Sequence, residues 1–204
     1  MKVAGIILAG GLARRMGGGD KCLRLLRGRP ILAHIVERLA PQVEALALNA
    51  NGDPSRFASF GLPVTPDSIA GFPGPLAGVL AGLDWAADRV PGVTHVASLP
   101  ADSPFVPADF VARLAVSLES AGGLACAASG GRTQPVCALW PVGLAGPLRD
   151  AIVSQGMAKV GMFAARYPLR VVEFSTEPFD PFFNTNRPED LAEAERLLTA
   201  EYLP

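Results

Sequence analysis

The chain opens on a near-continuous apolar run, Val3 to Leu8, that passes straight into a long loop, Ala9 to Asp20, holding five glycines and two arginines. An unbroken apolar run, rather than an alternating one, marks a strand covered on both faces, as in a parallel sheet. Parallel neighbours need a crossover connection, usually a helix. That opening therefore predicts an α/β fold with strands and helices in alternation.

The rest of the chain follows the same rhythm. Pro30 opens a helix with Ile31, Leu32, Ile35, Val36 and Leu39 at helical spacing. Strands are expected at Ala45 to Asn49 and Leu62 to Thr65, with a short helix over Asp53 to Phe60 between them. Pro75 begins a second helix, with Leu76, Val79, Leu80 and Leu83 on one face. A strand at Thr94 to Leu99 and a helix over Pro107 to Leu118 come next. Leu124 to Ala128 and Pro135 to Trp140 read as a hairpin across Ser129-Gly130-Gly131-Arg132, since Gly-Gly suits a tight turn. Helices at Gly143 to Ser154 and Val160 to Arg166, a strand at Arg170 to Phe174 and a helix from Pro188 to about Glu201 complete the pattern. The expected fold is Rossmann-like: a mainly parallel sheet with helices on both faces and a small antiparallel addition. One domain over residues 1–204 is expected, because neither a repeat nor a linker-like tract interrupts the sequence.

Composition narrows the function classes. Half the residues are hydrophobic and 18% are charged, which excludes disorder. The formal net charge of -1 gives no bulk attraction to nucleic acid, so any anion site must be a local cluster of cations. Three cysteines, Cys22, Cys126 and Cys137, form neither a C-x-x-C pair nor an even set, which argues against disulfides and structural zinc. The opening apolar run is too short for a signal peptide or a membrane span, so a cytoplasmic protein is expected.

Open α/β sheets bind ligands beyond the carboxyl ends of their strands. The loop after the first strand is thus the first place to look for chemistry. Its glycines let main-chain N–H groups approach an anion, and Arg14, Arg15 and Lys21 add charge. The combination suits a triphosphate. It is not a Walker loop, because Lys21 lies between Asp20 and Cys22, and G-x-G-x-x-G is absent after the first strand. The bland alternative is a solvated Gly/Arg loop.

The order Leu8-Ala9-Gly10-Gly11, Arg15-Met16-Gly17 and Asp20-Lys21 resembles the signature loop of the molybdenum cofactor guanylyltransferase family, within the wider nucleotidyltransferase group. Further matches occur in family order over almost the whole chain. They are Asn49-Ala50-Asn51, Pro66-Asp67-Ser68, Pro73-Gly74-Pro75-Leu76-Ala77-Gly78, Pro100-Ala101-Asp102-Ser103-Pro104 and Asn184-Thr185-Asn186-Arg187-Pro188. The resemblance implies transfer of GMP from GTP to the terminal phosphate of molybdopterin or its molybdenum form, with release of pyrophosphate. It implies Mg²⁺ held by Asp102, and Lys21, Arg15 and Asp102 as the catalytic residues. The nucleotide would meet Leu8, Ala9, Gly10, Gly11, Lys21, Asn49, Asp67, Gly74, Pro75, Leu76 and Asp102. Molybdoenzyme maturation proteins are implied partners.

Each residue also has a plain structural reading. Asp102 could be a turn carboxylate, Asn49 and Asp67 could bond locally, and Asn186 could cap the last helix. Arg132, Gln134, Lys159, Asn184 and Asn186 are candidates for the acceptor site in the C-terminal half, and each could equally lie on the surface. Neither His34 nor His95 sits in a nucleophile arrangement, and Cys22 is expected to pack rather than react. The rival functions are a cytidylyl- or sugar-phosphate nucleotidyltransferase, a catalytically silent nucleotide-binding module, and a scaffold.

Overall fold

A computed structural model describes residues 1–10, 20–69, 71, 74–118 and 122–201. Gly11, Arg14, Arg15 and Pro73 lie outside the described residues. Among the described residues the strands are β1 Val3–Leu8, β2 Leu25–Leu26, β3 Arg29–Pro30, β4 Leu46–Asn49, β5 Val64–Thr65, β6 His95–Pro100, β7 Leu124–Ser129, β8 Arg132–Pro141 and β9 Leu169–Phe174. The α-helices there are α1 Ile31–Leu39, α2 Pro75–Arg89, α3 Phe110–Val116, α4 Ala145–Val153, α5 Val160–Ala164 and α6 Pro188–Glu201.

Seven strands form one sheet in the order β5-β4-β1-β6-β8-β7-β9. β1 pairs in parallel with β4 and β6, β4 with β5, and β7 with β9. Only β8 runs against its neighbours β6 and β7. The mainly parallel sheet and its antiparallel addition are as expected.

Alternation along β1 shows why an unbroken apolar run is needed there. Ile6 and Ile7 are both fully buried, yet they face opposite ways. Ile7 joins the layer built by Ile31, Leu32 and Ile35 of α1, Phe110 and Leu114 of α3, and Leu198 of α6. Ile6 joins the layer of Leu76, Val79 and Leu80 of α2, Leu148 of α4 and Phe163 of α5. Burying each such side chain contributes roughly 1.5–3 kcal/mol. Helices therefore cover both faces of the sheet.

Three departures from the sequence expectation bear on the fold, beside shorter bounds such as β5 at Val64–Thr65 for the strand expected over Leu62 to Thr65. Residues Leu25–Leu26 and Arg29–Pro30 pair as a two-stranded antiparallel ribbon, turned through Arg27 at φ 50° and Gly28 at φ 78°. The helix expected over Pro107 to Leu118 is shorter, Phe110–Val116, because Asp109 sits at φ -107°, ψ 12°, outside the helical basin. The hairpin turn narrows to Gly130 and Gly131, both with positive φ, which lengthens β8 to Arg132–Pro141.

Both histidines are paired within the fold. His95 is fully buried, with Nε2 3.3 Å from the Gly123 carbonyl and Nδ1 3.0 Å from Thr94 Oγ1. Burial lowers its pKa below the usual imidazole value, which keeps the ring neutral. His34 Nε2 lies 3.0 Å from the Leu26 carbonyl and ties α1 to the small ribbon. Both histidines are structural. Among the described residues, no helix is long and apolar enough to cross a membrane.

Candidate active site

The parallel strands β1, β4, β5 and β6 all deliver their carboxyl ends to one edge, where a cleft of about 430 Å³ opens. Leu8 ends β1, Asn49 ends β4, and Asp67 and Asp102 each lie two residues past a strand. Leu8, Ala9, Gly10, Lys21, Asn49, Asp67, Gly74, Pro75 and Asp102 line the cleft. Leu76 does not; it is buried beneath the wall, in the core with α2.

At one end, Lys21 and Asp102 meet across 81 residues of sequence. Lys21 Nζ donates to Asp102 Oδ2 at 2.5 Å and to Asn186 Oδ1 at 2.5 Å. Asp102 is fixed from behind, since its carbonyl accepts from the Thr185 N–H at 3.0 Å and from Thr185 Oγ1 at 3.2 Å. Ser103 Oγ donates to Asn184 Oδ1 at 2.7 Å, so the 184–186 segment is docked on the Asp102 turn. Asp102 Oδ1 is buried and has no hydrogen-bond partner.

At the other end, Asn49 and Asn51 grip Asp67. Asn49 Nδ2 donates to Asp67 Oδ1 at 2.9 Å and to the Thr65 carbonyl at 3.2 Å. Asn51 Nδ2 donates to Asp67 Oδ2 at 2.7 Å, and Asn51 Oδ1 accepts the Asp67 N–H at 2.9 Å. Asn49 and Asp67 thus bond locally, and both also line the cleft.

Between the two ends, α2 presents its N-terminus. Pro75 occupies the first helical position, where its missing N–H costs nothing. Gly74 before it adopts φ 155°, which side-chain-bearing residues rarely take. The free amides and dipole of a 15-residue helix give this wall a partial positive charge.

The antiparallel strand shapes the far wall. Register shifts between Cys126 and Ala127, whose partners are Ala138 and Gln134, so Pro135, Val136 and Cys137 have no partner on β7. Pro135 has no N–H to offer a ladder, and such bulges are where a proline fits. Val136 from this bulge lines the cleft.

Of the acceptor candidates, Asn186 reaches Lys21 through its side chain. The amides of Asn186 and Arg187 at the start of α6 are satisfied instead by Asp190 Oδ2, each at 2.8 Å. Gln134 Nε2 lies 3.4 Å from Ser129 Oγ, Arg132 is exposed at the hairpin, and Lys159 is the exposed residue preceding α5. None of these three, nor Asn184, lines the cleft.

Cys22, Asn51, Pro100, Ala101 and Val136 also line it, without having been singled out as contacts. Cys22 is a neutral thiol, pushed up to about 12 by burial and by the nearby Asp20 carboxylate. The fully free and buried cysteines at 126 and 137 are likewise raised by burial.

The donor set tests what metal the cleft could hold. Among the described residues no three His, Cys, Asp or Glu side chains gather, so no all-protein cage is present there. A single carboxylate with one buried, unpartnered oxygen suits a hard cation whose remaining ligands are phosphate oxygens and water. Mg²⁺ fits that description.

The family model for the MobA-like NTP transferase domain matches residues 5–167, from inside β1 to the end of the α5 region. The chain belongs to the MobA-like NTP transferase family. As a MobA-like protein it is a nucleotidyltransferase. A molybdenum cofactor guanylyltransferase of Rhodopseudomonas palustris (strain BisB5) is 58% identical over 193 residues, 94% of this chain and 92% of that relative. One from Bradyrhizobium sp. (strain ORS 278) is 58% identical over 200 residues, 98% and 94% of the two chains. The crystal structure of molybdopterin-guanine dinucleotide biosynthesis protein A from Archaeoglobus fulgidus superimposes with a TM-score of 0.72 at 24% identity, covering 98% of this chain and 100% of that one. That last likeness establishes the shared fold.

Proposed function

We propose that this chain transfers GMP from GTP to the terminal phosphate of molybdopterin, or of its molybdenum form, and releases pyrophosphate to leave the guanine dinucleotide. Residues 1–204 act as one unit, with the nucleotide on the N-terminal half and the acceptor on the C-terminal half. The observation that carries the reading is the meeting of Lys21 and Asp102 at the carboxyl ends of β1 and β6, beside a glycine-bearing loop. The choice of GTP and molybdopterin rests on the relatives that share 58% identity over nearly their whole length.

In the proposed step an acceptor phosphate oxygen bonds to the α-phosphorus of GTP as the bond from that phosphorus to the bridging oxygen breaks. Pyrophosphate carries away the electron pair. A phosphate monoester is largely ionised near pH 7, its second pKa being about 6, so no protein base is required. What the chain supplies is alignment and charge. The Gly10 amide and Lys21 meet the charge that grows on the leaving pyrophosphate, a role proposed for Arg15 as well. Asp102 would hold Mg²⁺, which would supply charge neutralisation for the phosphates. Asn49, Asp67, Gly74 and Pro75 hold the nucleoside end. Arg132, Gln134, Lys159, Asn184 and Asn186 are proposed for the acceptor side. The reaction belongs in the cytoplasm, where three free thiols stay reduced and molybdoenzyme maturation proteins could receive the product.

Pyrophosphate release tests the proposal, with purified protein, Mg²⁺ and molybdopterin offered each of the four NTPs in turn. GTP should support turnover well above the other three. Preference for CTP or UTP would replace the guanylyl assignment.

A further inference from the structure

Arg56 takes no part in the proposed chemistry, yet its guanidinium links the segment after β4 to the residue that precedes Lys21. It lies in the 3-10 turn Pro54–Phe60, directly after the Asn49 to Asn51 segment. Nη2 donates to the Asn51 carbonyl at 2.5 Å and Nη1 to the Asp53 carbonyl at 2.5 Å. Nε sits 2.6 Å from Asp20 Oδ2 as an ion pair, although its N–H makes no aligned hydrogen bond. The guanidinium carbon lies 4.6 Å from the centroid of the buried Phe57 ring.

The partners matter because of what they adjoin. Asp20 immediately precedes Lys21, which lines the phosphate end of the cleft. Asn51 clasps Asp67 at two points, at 2.7 and 2.9 Å, on the nucleoside end. A guanidinium is planar, and its donors keep a fixed angle to one another, so groups bound to it are fixed relative to each other. Side chains at 27% and 14% exposure also put the Arg56–Asp20 pair beyond the class of free surface pairs that contribute little.

We propose that Arg56 is a positioning residue: through Asp20 and the Asn51 carbonyl it holds the Lys21 turn and the Asn51–Asp67 clasp in register, at the spacing one bound nucleotide requires. The proposal rests on the cleft being the NTP site. It assigns Arg56 no contact with substrate.

The test uses Arg56→Met, Arg56→Lys, Asp20→Asn and the double variant Arg56→Met/Asp20→Asn, each measured for GTP affinity in Mg²⁺ by calorimetry and for KM, kcat and melting temperature. Arg56→Met should raise Kd and KM for GTP about fivefold to tenfold while kcat at saturation stays within about threefold. Asp20→Asn should do the same, and the double variant should be no worse than the more damaged single one, because the two act as a unit. Arg56→Lys keeps the charge but not the fixed fork, so its Kd should fall between Arg56→Met and wild type. A Kd within about twofold of wild type for both single variants, additive losses, or a lowered melting temperature with unchanged Kd would each overturn the proposal. If Arg56→Met does not fold, Asp20→Asn decides alone: unchanged affinity overturns, weakened affinity supports. The ratio of variant to wild type is read on whichever NTP the wild type binds. Binding of ATP in place of GTP would therefore overturn the guanylyl assignment while Arg56 is still judged; wild type that binds no NTP overturns both.

Discussion

Asp102→Ala and Lys21→Ala should each lower turnover at least tenfold, and on the order of a hundredfold where transition-state charge is what they meet. A hundredfold is about 2.7 kcal/mol of lost transition-state stabilisation. The two side chains form one ion pair, 11% and 22% exposed, at the point where two parallel strands end. In the proposed reading Lys21 is the ammonium that meets phosphate charge, so its loss should raise the KM for GTP as well as lower kcat. Asp102 contributes the buried oxygen left without a partner, and its loss should fall mainly on kcat. Because the pair is in contact, the double variant should lose less than the product of the single losses. Steady-state rates close to wild type for both single variants would remove these residues from the chemistry.

Gly78→Ala should damage both stability and nucleotide affinity, although glycine to alanine inside a helix ordinarily stabilises by about 1 kcal/mol. A Cβ at position 78 would stand 2.3 Å from Asn49 Oδ1, 3.0 Å from Leu8 Cδ2 and 3.1 Å from Asn49 Cγ. Asn49 is 4% exposed and held by Asp67 and the Thr65 carbonyl, so it has no room to swing aside. Either α2 lifts from the sheet or Asn49 leaves Asp67. Overpacking of this kind costs about 1–3 kcal/mol, which outweighs the helix gain. Moving the Asn49–Asp67 pair should also raise the KM for GTP, on the order of ten- to a hundredfold, as small misplacements in binding sites do. Gly146→Ala, in the first turn of α4 with nothing within 4 Å of the added carbon, is the control: it should keep or modestly raise the melting temperature and leave KM unchanged. A Gly78→Ala protein with wild-type melting temperature and KM would show that the close approach to Asn49 has no consequence.

Much of the fold was legible because its strongest signals are periodic. The unbroken run of β1 announced a strand covered on both sides, and α1 and α2 carried their apolar faces at helical spacing after a proline. The small ribbon at Leu25–Leu26 and Arg29–Pro30 was not legible, since two-residue strands are too short to show any period. Nor was the bulge in β8, because a proline at the start of an expected strand does not say how the ladder around it will shift or which wall it will shape.

At the cleft, the positions of Asp102, Asn49 and Asp67 could be anticipated because each follows a recognisable strand. Leu76 could not be separated from its neighbours Gly74 and Pro75, since a motif read as a string does not say which residue of a helix turns inward. Arg56 gave no signal, because a lone arginine in a polar turn reads as surface. Of its three partners, Asn51 and Asp53 are local, and only folding brings Asp20 to it.

The most direct test is a crystal structure of the protein with a non-hydrolysable GTP analogue and Mg²⁺. The triphosphate should lie between the Gly10 amide and Lys21, with Asp102 Oδ1 on the metal and the nucleoside against Asn49 and Asp67. A nucleotide bound elsewhere, or one whose phosphates stay clear of Lys21 and Asp102, would contradict the proposed site.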